Sequence, residues 1–581
     1  MKKLSLIIFT IFVFTFNGFS QGCLPGGISF MNQAQINLFQ SNYPDCTEII
    51  GTVYIGYSND IQNLNGLSVL TSIGGSLIIT SNEALLDLSG LENLVSIGGS
   101  LDVHNNSVLI TLSSFENLVG IGNDLLIIDN ESIENMNGLE GITSISGDLY
   151  IGTSGLGNPS LTTLSGLDNL ISVGGEFNIK RNPILSTIEN LSSLQSIGGE
   201  FEIFANDNLV SFDGLENLTT IGEQFKIITN ESLISIEALS NLTSMAGSLA
   251  IGDNDVLVSL DGLNNLETIG GQLWIVSNSS LESLLPLTSL TYVGGDYTIS
   301  GNNLLVNLIG LDNISHIGGY LDIGHNYSLT SLNGLQSLSF LGSSINISEN
   351  PLLANLDALA NLTFISNHIW IEDNDAITDL TGLHNISSLG GRLRILHNDN
   401  LTSLIALSNI GSIGDYLEIS YNESLLNLTG LENVLFVDGD FIIEGNALLT
   451  DLSEMMNLVA IQGDLEILHN PNMINFNGMN NLASIYGDLR VEGNDNVNSI
   501  IAFDSIDYTS IFDLIIKDNP FLSHCNAKSI CDFIEFSTGN IEIENNAPSC
   551  NSQDEVEEAC NMVYCLPEGI TFTTQQQIDD F

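Results

Sequence analysis

The chain has 581 residues, with 69 Asp and Glu against 10 Lys and Arg, a formal net charge of −59. Such a surface repels phosphate backbones and anionic lipid, which argues against nucleic acid and anionic membranes as partners. Hydrophobic residues make up 43% and charged residues only 14%, a balance that argues against a disordered chain.

Residues 1–20 read as a secretory signal. Lys2 and Lys3 form the positive end, Leu4 to Phe16 the apolar run, and Gly18 to Ser20 the small-residue cleavage site. The run is short for a bilayer span and no later stretch could make one. The chain is therefore expected to be exported, with its mature start near Gln21. Residues 21–46 are predicted to form an N-terminal cap. Asn32 to Gln35 has capping-box chemistry and starts a short helix through Phe39. Cys23 and Cys46 bracket that helix and, in an exported chain, are expected to be bonded. A lipid anchor on Cys23 is the alternative, and Ser20 to Gly22 fits that motif badly.

Residues 47–519 are a repeat. Leu70 to Asn82 returns 24 residues later as Leu94 to Asn106. Anchored on the apolar residue after the Gly-Gly region, 21 copies run from Val53 to Ile541. The step is 24 except for 28 into Phe177, 25 into Leu514 and 27 into Ile541. A fixed period in this range means stacked rungs of a solenoid. Two residues after every anchor sits Ile or Val. Anchor and +2 share one side of a strand and face inward, so +1 and +3 face outward. Further apolar residues fall every third position, for example Leu281, Leu284, Leu287, Leu290 and Val293. That spacing suits polyproline-like or 3₁₀-like turns.

Five residues after the anchor sits Asn in 19 of the 21 units, Ser58 and Ser154 being the departures. The ladder is read from 18 of them, without Asn546 of the last copy: Asn82, Asn106, Asn130, Asn182, Asn206, Asn230, Asn254, Asn278, Asn302, Asn326, Asn350, Asn374, Asn398, Asn422, Asn446, Asn470, Asn494 and Asn519. Stacked amides at one bend can satisfy backbone groups that the strand ladder leaves unpaired. Gly152 to Pro159 hold the four-residue insertion and are predicted to loop out. From Ile345 to Leu489 the +13 residue alternates between Gly and something else, a sign of duplication in pairs.

Residues 520–564 are read as the last rung and a C-terminal cap, with helices near Ala527–Phe536 and Ser552–Cys560. Cys525, Cys531, Cys550 and Cys560 allow three disulfide pairings, with a structural zinc site as the alternative. Residues 565–581 repeat the first cap: Cys565 to Phe581 matches Cys23 to Phe39 at ten of 17 positions. A second, truncated module is therefore expected to begin there.

The pattern L-x-x-I-G-G-x-L-x-I-x-x-N resembles a leucine-rich repeat with an extra corner. More closely, it resembles the repeat of receptor L domains, over about residues 47 to 546. The resemblance implies an all-β, right-handed single-stranded β-helix, a leucine-rich-repeat-like solenoid of about 21 rungs with small helical, disulfide-bearing caps. It also implies a ligand-binding role. The rungs far outnumber those of a receptor domain, so binding residues do not carry over one by one. The chain further resembles cargo of bacterial surface-secretion systems that read a C-terminal tail.

No nucleophile elbow, zinc motif or phosphate loop occurs, and no catalytic residue is assigned. No cofactor is assigned either. Calcium is the one ion that bends such as Asp253–Asp255, Asp373–Asp375 and Asn398–Asn400 could take, although Asp and Asn also favour turns for their own sake. The outward +1 row carries both Trp residues. Its cross-strand pairs, Glu202 with Lys226, Arg394 with Glu418 and Glu466 with Arg490, are expected to neutralise one another. That leaves Trp274 and Trp370, with Tyr150 and Arg394, as the candidate ligand face. The reading is an exported cell-surface recognition or adhesion protein that binds a protein or carbohydrate through that face. A structural spacer and a carbohydrate-active β-helix enzyme are the alternatives.

Overall fold

The computed structural model describes residues 22–155 and 157–564. The signal segment and the second module lie outside them. Two units are delimited, one ending at Gly174 and one beginning at Gly175.

One rung of the second unit shows how the repeat folds. A two-residue strand, Thr268–Ile269, leads into the Gly270-Gly271 corner, and the long strand Leu273–Val276 follows. Here a Cβ on Gly271 would lie 2.8 Å from the Ser248 backbone nitrogen of the rung before, so a side chain at this corner would have to shift that rung. After the bend the chain crosses in turns and the 3₁₀ helix Leu285–Leu287 to the next short strand, Tyr292–Val293. Leu273 pairs in parallel with Leu249 on one side and Tyr297 on the other. The anchors are thus in register at one repeat per step. The short strands form ladders of their own, such as Thr268 with Tyr292, an element not foreseen in the sequence.

In the first unit the long strands run in parallel from Val53–Ser58 through Leu77–Asn82, Leu101–His104 and Leu125–Ile128 to Leu149–Ile151. The cap supplies a further strand, Ile28–Phe30, which pairs with Val53 to Ile55. In the second unit the long strands run from Phe177–Lys180 to Ile541–Glu544. The core of both units consists of the anchors, the +2 residues and the every-third apolar residues, nearly all fully buried. At about 25 cal/mol per Å² of apolar area, this layer supplies the main folding force. Phe177, Phe201 and Phe225 stack down it at 5.2 and 4.9 Å.

The buried Asn ladder is present. Asn254 Nδ2 donates to Ile227 O at 2.9 Å, Gly252 O at 2.8 Å and Asn278 Oδ1 at 3.2 Å, while its own Oδ1 accepts from Asn230 N at 3.1 Å. Each amide thus ties three rungs. The residue before it sits in the left-handed region, as at Ser81, Thr229, Asp253 and His469. At the insertion the ladder continues through Asn158 rather than Ser154. Asn158 Oδ1 accepts from Asn130 N at 3.1 Å and its Nδ2 donates to Ile127 O at 3.0 Å. The extra residues therefore precede the ladder position. Ser58 is not idle either: its hydroxyl accepts from Asp60 N and Ile61 N.

A second, exposed Asn row escaped the sequence reading. Asn217, Asn241 and Asn265 each donate from Nδ2 to a carbonyl 25 residues back, Asn265 to Ser240 O at 2.8 Å. The +13 alternation also has a structural cause. Rungs without Gly there make a 3₁₀ helix, such as Asp357–Leu359, Ile405–Leu407 and Ser453–Met455. Between them, Gly382 and Gly430 turn at positive φ, as does Gly478 further on, which leads into a 3₁₀ turn of its own, Met479–Asn481. A Cβ on Gly430 would lie 2.0 Å from Leu404 O, the carbonyl that opens the preceding 3₁₀ helix. The Gly430 N–H donates to Glu432 Oε2 at 2.8 Å.

The caps close as expected, with detail added. Asn32 Oδ1 accepts from Gln35 N, and the Gln35 side chain returns to Met31 N rather than to Asn32 N. The helix is Gln33–Asn37, continued by Phe39–Asn42. Cys23 bonds to Cys46, Cys525 to Cys550 and Cys531 to Cys560. The last two bridges use the four sulfurs that a zinc site would need. The C-terminal helices are Lys528–Phe536 and Gln553–Tyr564.

Two substitution pairs test this account. Asn254→Ala strands at least two buried backbone groups and is expected to cost about 3 kcal/mol in denaturant melts, against under about 1 kcal/mol for exposed Asn265→Ala. Gly430→Ala meets both the positive φ and the Leu404 carbonyl, and should cost about 2 kcal/mol or more. Ala406→Gly, on the neighbouring 3₁₀ rung, should cost about 1 kcal/mol or less.

Candidate ligand face

The outward +1 row is set by strand alternation, because burying the anchor and +2 turns +1 away from the core. Trp274 is 36% exposed and Trp370 is 37% exposed. The register neighbours of Trp274 are small, Ala250 and Thr298. Tyr150 stands on the first unit, half-buried and in register with Leu126. The other three candidates stand on the second unit.

Around Trp370 the second unit assembles a cluster. The indole Nε1 donates to Glu372 Oε2 at 2.6 Å. The Arg394 guanidinium lies 4.3 Å from the indole centroid and 5.8 Å from that of Tyr416. Its Nε donates to Glu418 Oε2 at 2.7 Å. Arg392 stands 4.7 Å from the Tyr416 ring and pairs with Asp415 at 2.7 Å. Each ring is thus braced by a cation that a carboxylate holds in place. Trp370 and Arg394 are brought together as their spacing implied. Tyr416, Arg392 and Glu372 were missed. They lie at −1 and +3, whose side chains share this face, and the signal was the pair of Arg at −1 and +1 of one rung. Among the described residues no cation stacks on Trp274.

The charge pairs differ in part from those the register suggested. Lys226 lies opposite Glu202 but binds Glu200 at 3.1 Å, while Glu202 takes Lys180 at 2.7 Å. Arg490 grips Glu492 at 2.6 Å and reaches Glu466 only at 3.8 Å. Asn178 also departs from the outward pattern, being 1% exposed.

Each bend considered for calcium spends one residue inward, the middle one in the first two bends and the first one in Asn398–Asn400. Asn254, Asn374 and Asn398 are ladder members with buried amides. Among the described residues no group of three or more His, Cys, Asp or Glu is placed to hold a metal ion.

Comparison with known proteins bears on the repeat. The family model described as Receptor L domain matches residues 45–122. The repeat is receptor-L-domain-like. That match covers the first rungs of the first unit, and the same rung pattern recurs in the second. Among solved structures, the "Crystal structure of TLR13-ssRNA13 complex" aligns over 85% of this chain and 84% of that chain, at 16% identity and a TM-score of 0.28. No curated protein matches the chain. Receptor L domains are in general ligand-binding folds. Among the described residues no helix is long and apolar enough to cross a membrane.

The electrostatics make a further prediction. Burial raises the carboxyl pKa of Asp129, Glu200, Asp322, Asp373, Glu466 and Asp488. Among the described carboxyls Asp507 and Asp513 are lowered, by hydrogen bonds from Thr509 and Asn540. A raised folded pKa means that the folded state binds more protons than the unfolded one. Stability from these groups therefore falls as pH rises from the ordinary carboxylate range, about 4, through the raised values. The melting temperature is expected to rise on acidification from neutral to about pH 5. A monotonic fall over that range would show that His368, whose pKa burial holds below the usual imidazole value, outweighs the raised carboxyls.

Proposed function

We propose that this chain is an exported cell-surface recognition or adhesion protein that binds a protein or carbohydrate through the outer strand face. The observation that carries the reading is the pair of outward indoles, each more than a third exposed, with Trp370 held by Arg394 and Glu372. Large flat apolar groups held rigid lose little entropy on binding, which makes them good anchors. Three disulfides fit an oxidising, extracellular compartment. The formal charge of −59 disfavours nucleic acid as the ligand.

A structural spacer is the second reading. It draws on the self-paired charges of the face, since Lys180, Lys226, Arg394 and Arg490 all bind carboxylates of their own sheet. One experiment separates the two. A Trp274→Ala, Trp370→Ala double variant should fold normally, because neither ring is in the core, and should lose binding on an array of glycans and surface proteins by about tenfold or more. Wild-type protein that binds nothing on the array favours the spacer. Unchanged binding by the variant removes this face.

A further inference from the structure

The short-strand face of the second unit holds a feature that neither the repeat nor the Trp row explains. Five residues before the anchor, where the short strand begins, most rungs carry Ser or Thr. Four consecutive rungs instead carry Tyr292, His316, Phe340 and Phe364. Tyr292 pairs in register with His316, and His316 with Phe340. Their rings are nearly parallel, 16° and 4° apart, with centroids at 4.9 and 4.4 Å. Tyr292 is 40% exposed, Phe340 49% and Phe364 51%. The core gains nothing from these rings, and replacing small hydroxyl residues by aromatics on a wet face carries a solubility cost.

The surroundings narrow the occupant. From eight to two residues before the anchor, across these four rungs, there is no Asp, Glu, Lys or Arg. In a chain of net charge −59 this is a neutral window. It offers no counter-charge to an anionic or a cationic partner. The short strands Tyr292–Val293 and His316–Ile317 are paired on both sides, so no open edge is left there for an added strand. One residue before each ring stands an exposed hydroxyl: Thr291, Ser315, Ser339 and Thr363. Thr291 and Ser339 give their hydroxyl hydrogens to Glu267 O and Ser315 O, which leaves oxygen lone pairs as acceptors. The rungs advance by about 4.8 Å, close to the advance of one pyranose ring in an extended β-linked chain. Rings that meet sugar C–H groups, hydroxyl acceptors beside them and a matching step are the chemistry of a neutral, linear glycan.

We infer that the ridge Tyr292–His316–Phe340–Phe364 is a binding site for a neutral linear polysaccharide, laid along the rungs with about one sugar per rung. The site lies on a different face from Trp274 and Trp370 and does not depend on their role. The test uses the full chain with cello- and chito-oligosaccharides of two to six sugars, read by calorimetry. The variant Tyr292→Ser, His316→Ser, Phe340→Ser installs the commonest residue at this position of the repeat, so circular dichroism and melting should match wild type. The expected result is binding of at least one series, tightening with length to about four sugars and weakened about tenfold or more in the triple variant. The Trp274→Ala, Trp370→Ala variant should keep it. If the triple variant misfolds, Phe340→Ser alone is read, with a severalfold loss expected. The inference is overturned if neither series binds, if the serine variants bind like wild type, if the loss follows the Trp variant, or if a proline-rich or cationic peptide binds the ridge in the glycan's place.

Discussion

The structure depends on one side-chain amide per rung. A solenoid strand must turn a corner within a few residues, and at the corner the main chain loses its regular partners. Left buried, those groups would cost about 1–3 kcal/mol each. The ladder Asn donates to a carbonyl of the rung before and accepts from the ladder N–H of that same rung, as Asn254 does with Ile227 O and Asn230 N. Gln would reach too far and Asp would lack the donors. The same corner forces the preceding residue into the left-handed region even at Thr229, a β-branched residue. The amide network therefore outweighs a local strain of about 1–2 kcal/mol.

Much of this was legible because solenoid positions repeat their physics. A residue that recurs 19 times at one offset has one job, and the buried Asn and the inward anchor and +2 pair follow directly. What the sequence hid were choices that depend on which of two near-equal partners a flexible group takes. Lys226 facing Glu202 yet binding Glu200 is such a choice. The insertion is another: the fold keeps the ladder and lets Asn158, not the residue at the nominal offset, fill it. The short strands were hidden for a different reason, since two residues show no alternation.

The outer faces obey weaker constraints than the core, and that is where the rungs differ. The Trp370 cluster needs an Arg at both −1 and +1 of one rung and an aromatic at −1 of the next, a combination visible only once the rungs are stacked. Tyr416 lies 22 residues from Arg394 in sequence and within 5.8 Å of it in space. Reading outer positions as columns, not as neighbours in sequence, is what exposes such groupings.

The alternation of 3₁₀ and glycine rungs gives the fold a parity. Adding or removing two rungs leaves every neighbour relation as it was. Adding or removing one sets like against like. Within the first unit Gly138 and Gly166 are successive glycine turns, and within the second Gly310 and Gly334 are. Each is a phase slip that the stack absorbs without loss of register in its long strands, as between Leu321 and Ile345. The length of such a protein can therefore drift by single rungs, and the slips remain in the sequence as its counting errors.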